Sequence, residues 1–362
     1  MSAELPEPEM RRFAKLAFRI IQSNLSELHY PYRLLYSVTD RCQSRCIMCN
    51  IWQKPPADEL STAEIEKFFA RNNRFSWINL TGGEIFLRND IVDIFHSIAR
   101  HCSSLYLLNF ATNGLLTKDI VSGIREILER TCIPKLMVTV SLDGPPEMHD
   151  HIRGVPGSWN RAVETFQQLK NMRSNRFSVY FGYTLQEANL HLFQQTVSAV
   201  KHKMEESSYD DFHVNIAQVS GHYYGNTDFQ GTAVPLESVR LLAKFSAART
   251  KKVFDPVMAL ERTYQRLAEV YLTSGKTPLP CQAAAASFFL DASGTVYPCT
   301  GFSAPIGSLR DNDFDLQRIW NSPERRKVRK DVCEGACPHC WTPCEAYQTI
   351  LARLPELLKT KP

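Results

Sequence analysis

The sequence predicts an α/β protein, a partial (β/α)6 barrel followed by a small cysteine-rich α+β module. Two patterns carry this. From Arg33 to about residue 220, apolar strand-like runs alternate strictly with segments of helical periodicity. The runs are Leu34–Val38, Trp77–Leu80, Leu105–Phe110, Leu136–Leu142, Val179–Thr184 and Val214–Val219. Between them lie Ala63–Ala70, Ile91–Ile98, Ile120–Leu128, Trp159–Leu169 and Leu192–Val200. Strand and helix in turn argue for parallel βα units, and six units fall short of a closed eight-unit barrel. The second pattern is a change of texture after Pro278 and Pro280. Six of the 11 cysteines lie beyond it: Cys281, Cys299, Cys333, Cys337, Cys340 and Cys344. The expected organisation is an amphipathic helix in 1–30, the barrel in 31–235, helical segments near 236–250 and 256–273 within a 236–280 linker, and the module in 281–362.

The first element is the N-terminal helix, read over residues 10 to 28. Met10, Phe13, Ala17, Ile20, Ile21, Leu25 and Leu28 recur at helical spacing, with Arg11, Arg12, Lys15 and Arg19 on the other side. The simplest reading packs the apolar face on the barrel and leaves the basic face in water. The sharper one is contact with an anionic lipid surface or an acidic partner.

Composition narrows the class. With 42 Lys plus Arg against 38 Asp plus Glu, the formal charge is +4, too slight for a nucleic-acid partner to be expected. No apolar run approaches the ~18–20 residues needed to span a bilayer. Acidic residues and prolines (Glu4, Pro6, Glu7, Pro8, Glu9) stand where a secretion signal would carry a basic end and an apolar stretch. A cytoplasmic location is therefore expected, with membrane contact confined to the first helix. In that compartment 11 cysteines point to metal or redox chemistry more than to disulfides.

Cys42, Cys46 and Cys49 have the spacing C-x3-C-x2-C on the loop directly after the first strand. In a parallel βα fold that is the mouth, where active sites sit. Three thiolates on a tight loop suit an iron–sulfur cluster, and a four-iron cluster held by three would keep one iron open. Zinc is the bland alternative. It normally closes its tetrahedron with a fourth nearby Cys or His, and the nearest histidine, His29, precedes the strand.

At these residues the sequence resembles the radical S-adenosylmethionine superfamily, whose signature is this spacing after the first strand of a partial six-unit barrel. The residue before the third cysteine is usually aromatic; here it is Met48, which the resemblance places near the adenine. Thr81-Gly82-Gly83-Glu84 ends the second strand. Glycines admit close backbone approach, and the resemblance implies that Gly82, Gly83 and Glu84 bind the amino group of the methionine moiety. Asn113-Gly114 ends the third strand and Ser141-Leu142-Asp143-Gly144 the fourth. The small hydroxyl and amide groups there suit a ribose or the methionine carboxylate, which makes Asn113, Ser141 and Asp143 candidate cofactor contacts, although turn and cap chemistry could account for Asn113-Gly114 and Asp143-Gly144 alone. Arg153 would meet a carboxylate. Gln218, near the end of the sixth strand, could face the adenosine. His222-Tyr223-Tyr224 reads as a loop with packed aromatics or as substrate-facing donors.

In the tail, Cys281 and Cys299 flank a predicted hairpin with a turn at Asp291–Gly294, and Cys337-Pro-His-Cys340 is a C-x2-C knuckle. Spacing alone leaves structural zinc open. The tail resembles the SPASM or shorter twitch extension, which implies one auxiliary [4Fe-4S] cluster on Cys281, Cys299, Cys337 and Cys340, with Cys344 able to replace one of the later pair. Cys102 and Cys132 read as buried, inert thiols.

The resemblance implies that S-adenosylmethionine binds the open iron of a first [4Fe-4S] cluster. Reductive cleavage then yields a 5′-deoxyadenosyl radical that takes a hydrogen atom from an unactivated C–H bond. A reducing partner such as flavodoxin or ferredoxin would supply the electron. The substrate is either a small molecule, sugar or lipid, or a peptide or protein side chain. The short stretch before the barrel leaves little room for a peptide-recognition domain. A non-catalytic iron–sulfur or zinc protein, acting as scaffold or electron carrier, is the alternative from another class.

Overall fold

In the computed structural model residues 7–232 and 256–354 are described. The helical stretch expected near 236–250, and the boundary at 235, lie outside them. Helix α1 (Glu9–Leu25) leads into β1 (Arg33–Ser37), β2 (Trp77–Thr81), β3 (Leu107–Thr112), β4 (Lys135–Ser141), β5 (Phe177–Leu185) and β6 (Phe212–Ile216). These six strands are parallel and neighbour one another in chain order. The connections carry α2 (Thr62–Arg71), α3 (Ile91–His101), α4 (Thr117–Arg130), α5 (Pro146–Arg153) with α6 (Ser158–Lys170), and α7 (Phe193–Lys203). The expected partial barrel is present.

Helix α5 escaped the periodicity reading because only His149 and Ile152 of its eight residues are buried. It is held by local chemistry. Pro146 occupies its first turn, Gly154 closes it at φ +63°, and the Asp150 carboxylate accepts from the Gly157, Ser158 and Trp159 groups that start α6.

The tail is not packed apart from the barrel. β7 (Ser287–Leu290) pairs parallel with β1, and β8 (Thr295–Tyr297) and β9 (Gly307–Ser308) continue the same sheet antiparallel. The hairpin stands at the predicted turn, with Asp291 Oδ1 accepting from the Ser293 and Thr295 amides. Four further helices complete the described chain: α8 (Pro256–Ser274), α9 (Leu316–Trp320), α10 (Pro323–Cys333) and α11 (Pro343–Leu351).

Residue size along the strands explains where the core ends and a cavity begins. Phe110, Val138, Val140, Phe181 and Tyr183 are buried in the main hydrophobic core, whose helix residues include Ile94, Ile124 and Phe166. The alternate positions, Ala111, Thr139, Ser141, Gly182 and Thr184, face the barrel interior and are all small. Parallel pairing sets Ser141 beside Gly182. Small residues on the inner face leave the upper barrel open.

Helix α1 lies against the opposite end of the barrel, rotated from the simplest reading: Arg12 and Arg19 turn inward beside Leu16 and Ile20, while Arg11 stays exposed. Arg12 is buried, and its Nη1 donates to the Leu105 and Cys132 carbonyls at 3.2 and 3.3 Å. Arg19 donates to the Tyr30 carbonyl. These carbonyls precede β3, β4 and β1. Charged groups satisfy otherwise unpaired backbone at the starts of strands, and this turns Met10, Phe18, Ile21 and Leu25 outward.

Candidate metal centre

The loop from Thr39 to Asn50 is held from three sides. The Arg45 and Ile47 amides donate to the Arg153 and Ile152 carbonyls at the end of α5, both at 2.9 Å. The Asn50 amide donates to the Tyr224 carbonyl at 2.8 Å, and Asn226 Nδ2 donates to the Met48 carbonyl at 2.8 Å. On the third side the Gly83 and Glu84 amides donate to the Thr39 and Arg41 carbonyls. A Cβ on Gly83 would sit 2.1 Å from the Arg41 oxygen, and one on Gly82, at φ +148°, 2.3 Å from the Thr39 oxygen. The glycine pair is therefore needed for close approach to the cysteine loop itself, beyond any ligand.

Cys42, Cys46 and Cys49 line one cavity of about 230 Å³ at the C-terminal strand ends. Met48, Gly82, Gly83, Asn113, Ser141, Arg153 and Gln218 share its wall. Among the described residues no three Cys, His, Asp or Glu are grouped so as to hold a single metal ion; the thiols border a space. Burial pushes the Cys42 thiol up to about 11 and the Cys49 thiol up to about 12. Such thiols lie protonated unless a bound cationic group compensates the thiolate. Arg153 supplies one fixed charge, with Nη1 3.7 Å from Cys46 Sγ. Three thiol donors of one loop beside one guanidinium, with no carboxylate in the wall, fit an iron–sulfur cluster with an open corner; Cys344 reaches the same wall from the tail.

Two expected ligand residues are placed elsewhere. Glu84 is fully buried and absent from the cavity wall. Its carboxylate accepts from Thr112 Oγ1 at 2.9 Å and the amides of Asn113 at 2.7 Å and Phe86 at 3.2 Å. These bonds tie the end of β2 to the end of β3, so its acceptors are occupied by the fold. Asp143 is likewise buried outside the wall, paired with Arg153 Nη2 at 2.5 Å and accepting from the Thr184 amide at 2.8 Å. The carboxylate that Arg153 meets is the chain's own, and the pair aims the guanidinium at Cys46. Asn113 reaches the wall, but its amide also clamps the cysteine loop through Gln43 and Ser44. His149 accepts from the Asp143 amide, and burial pushes it down to about 3.

Several wall residues carried no distinct sequence signal, among them Thr139, Thr184 and Asn215. Tyr223 and Tyr224 are in the wall too, with Tyr223 Oη 2.6 Å from Thr81 Oγ1. His222 is outside it, stacked on Tyr297 at 4.2 Å.

A second, small cavity lies in the tail. Cys281, Cys299, Cys337 and Cys340 all border it, together with Gln218, Tyr224 and Thr342, which border the barrel cavity as well. Cys333 is exposed at the end of α10; of the two barrel thiols expected to be buried, Cys102 is and Cys132, in the loop before β4, is exposed. Cys344 does not join the four; it faces the barrel cavity. This placement predicts that Cys344→Ser leaves the iron content of the reconstituted protein unchanged, whereas Cys340→Ser lowers it. Iron and sulfide assays on both variants check this.

The sequence comparisons agree with this geometry. The Radical SAM superfamily profile matches residues 36–200, and the SPASM iron–sulfur cluster-binding domain profile matches 281–341. The chain is a radical SAM protein with a SPASM module. S-adenosylmethionine and [4Fe-4S] clusters are its cofactors. Over 331 residues this radical SAM protein is 26% identical to an AdoMet-dependent heme synthase of Methanosarcina barkeri, covering 86% of this chain and 88% of that one. It is 37% identical over 90 residues to a GTP 3′,8-cyclase of Nitrobacter winogradskyi, covering 22% and 26%. Among solved structures, SuiB of Streptococcus suis bound to S-adenosylmethionine matches at TM-score 0.58 and 15% identity, covering 86% of this chain and 70% of that one. Native anSMEcpe with bound AdoMet matches at TM-score 0.56 and 14% identity, covering 91% and 98%. At those identities the likeness is one of fold.

Proposed function

We propose that this radical SAM protein holds S-adenosylmethionine against a cluster on Cys42, Cys46 and Cys49 and acts on an uncharged small molecule. The observation that carries the reading is the convergence of those thiols, the Gly82–Gly83 backbone, Ser141 and Arg153 on one cavity at the strand ends. Bound there, the cofactor pair supplies a carbon radical able to take a hydrogen atom from an unactivated C–H bond. The chain's own task is placement and shielding. Gly82 and Gly83 offer backbone groups to the amino acid end of the cofactor. Ser141, Thr184 and Asn215 offer hydroxyl and amide groups to its sugar. Met48 and Ile51 offer apolar surface to its base. Tyr223 and Tyr224 close the side toward the module and exclude water.

Two features support the substrate class. A neighbouring cavity of about 460 Å³ shares Ile216, Ala217 and Gln218 with the barrel cavity, room for a compact molecule beside the cofactor site. Among the described residues Arg153 is the one Lys or Arg in either wall, and it is paired with Asp143. Heme, the product named for the Methanosarcina relative, carries carboxylates that such walls would leave unmatched. The four tail cysteines would hold an auxiliary cluster separated from the reacting centre by Gln218 and Tyr224. It would pass an electron or fix the substrate.

The test is anaerobic reconstitution followed by dithionite and S-adenosylmethionine. Formation of 5′-deoxyadenosine is expected. A fully iron-loaded protein that leaves S-adenosylmethionine intact overturns the proposal.

A further inference from the structure

The side of α1 that faces away from the barrel is apolar. Met10, Phe18, Ile21 and Leu25 are 78, 64, 57 and 82% exposed, and Phe13 stands beside them. Ala14 extends the stripe, so the spacing from Met10 to Leu25 is four, four, three and four residues, one face of a helix. A surface helix ordinarily turns such a face inward. Here Arg12 and Arg19 occupy the inward side because strand-start carbonyls need donors. Leu16 and Ile20 supply the packing against Tyr32 and Trp77.

Alongside the stripe runs a groove of about 410 Å³. Arg11, Lys15, Arg19 and Arg74 line it, with Phe18 and Ser104. Among the described residues its cations pair with one carboxylate, Glu7, which lies 2.7 Å from Lys15 and 3.7 Å from Arg11. Arg74 lies over the Tyr30 ring. A row of cations beside exposed aliphatic and aromatic side chains matches the two layers of an anionic membrane surface, phosphates above and acyl chains below. Phe18 borders both the stripe and the groove, so one docking pose engages the two together.

We propose that α1 docks this protein on anionic lipid. A second copy is a poorer occupant. A stripe one helix wide and ~25 Å long falls short of the ~800 Å² per partner of a standard interface, and facing stripes would bring two cation grooves near each other. The pose also sets direction. α1 covers the starts of the strands and the cysteines lie at their ends, so a docked molecule holds its catalytic mouth away from the bilayer and takes its substrate from the aqueous side.

Flotation of the reconstituted full-length protein with vesicles tests this. Binding is expected to vesicles of phosphatidylcholine with phosphatidylglycerol and to be about tenfold weaker with phosphatidylcholine alone. Phe18→Glu with Ile21→Glu is expected to abolish flotation, and Arg74→Glu to weaken it, with iron content and S-adenosylmethionine cleavage unchanged. Phe18, Ile21 and Arg74 are all at the surface, so an unchanged melting temperature serves as the folding control. Flotation that is absent, or indifferent to Phe18→Glu with Ile21→Glu, overturns the proposal. So does a dimer in sedimentation that those substitutions dissolve while vesicles go unbound. Loss of cleavage in wild-type protein that still floats would instead count against the function proposed above.

Discussion

Replacing Cys42, Cys46 and Cys49 together with alanine is expected to lower the iron of the reconstituted protein from about eight to about four per chain. Cleavage of S-adenosylmethionine is expected to fall to background. The expectation rests on placement. The three thiols border the barrel cavity, and Cys281, Cys299, Cys337 and Cys340 border a separate one across Gln218 and Tyr224. The cysteine loop is held by backbone bonds from Gly83, Glu84, Arg153 and Tyr224 that the substitutions leave in place. The fold and the tail cluster should therefore persist, visible as residual iron–sulfur absorption. If all iron is lost, the two sites depend on one another in a way this separation does not predict. If about eight irons remain, the ligands are other residues.

Gly83→Ala is the second large effect. An alanine Cβ would stand 2.1 Å from the Arg41 carbonyl oxygen and 2.9 Å from Cys42 Cβ. Neither can give way like the end of a flexible side chain, because the Arg41 oxygen accepts from the Glu84 amide at 2.8 Å. The loop must move and take Cys42 with it. Overpacking of this kind costs about 1–3 kcal/mol, and here the displacement falls on a cluster ligand. The expected result is poor incorporation at the first site and at least tenfold slower cleavage, about 1.4 kcal/mol in the barrier. Gly157→Ala is the control without a clash. Gly157, unlike Gly83, has positive φ, at +73°, so alanine there strains the backbone but its Cβ meets nothing within 4 Å, and normal iron content and cleavage are expected. Equal iron content and equal cleavage in Gly83→Ala and wild type would show that the loop does not depend on this contact.

Much of the molecule was legible from local chemistry. Alternation of apolar runs with helical segments marked all six barrel strands, and their bounds shift by at most three residues in the structure. The turn at Asp291–Gly294 marked the tail hairpin, and cysteine spacing marked both thiol groups. Other features are encoded more faintly. Val138-Thr139-Val140-Ser141 and Phe181-Gly182-Tyr183-Thr184 alternate large and small, and that alternation hollows the barrel. It becomes meaningful once pairing sets Ser141 next to Gly182.

The sequence by itself marked Cys42, Cys46 and Cys49 as one group of thiols, because spacing on one loop is local. It also determined that strands alternate with helices, because periodicity is local. Tertiary structure alone decided which polar side chains line the cavity. Glu84 and Asp143 looked like ligand contacts, but the nearest donors to them are Thr112, Asn113, Phe86, Thr184 and Arg153. A buried carboxylate must be satisfied where it stands, and those donors come from other strands. The same reason rotated α1. Its sequence separates an apolar face from a basic one, but which face meets the barrel depended on carbonyls at Leu105, Cys132 and Tyr30, far away in the chain.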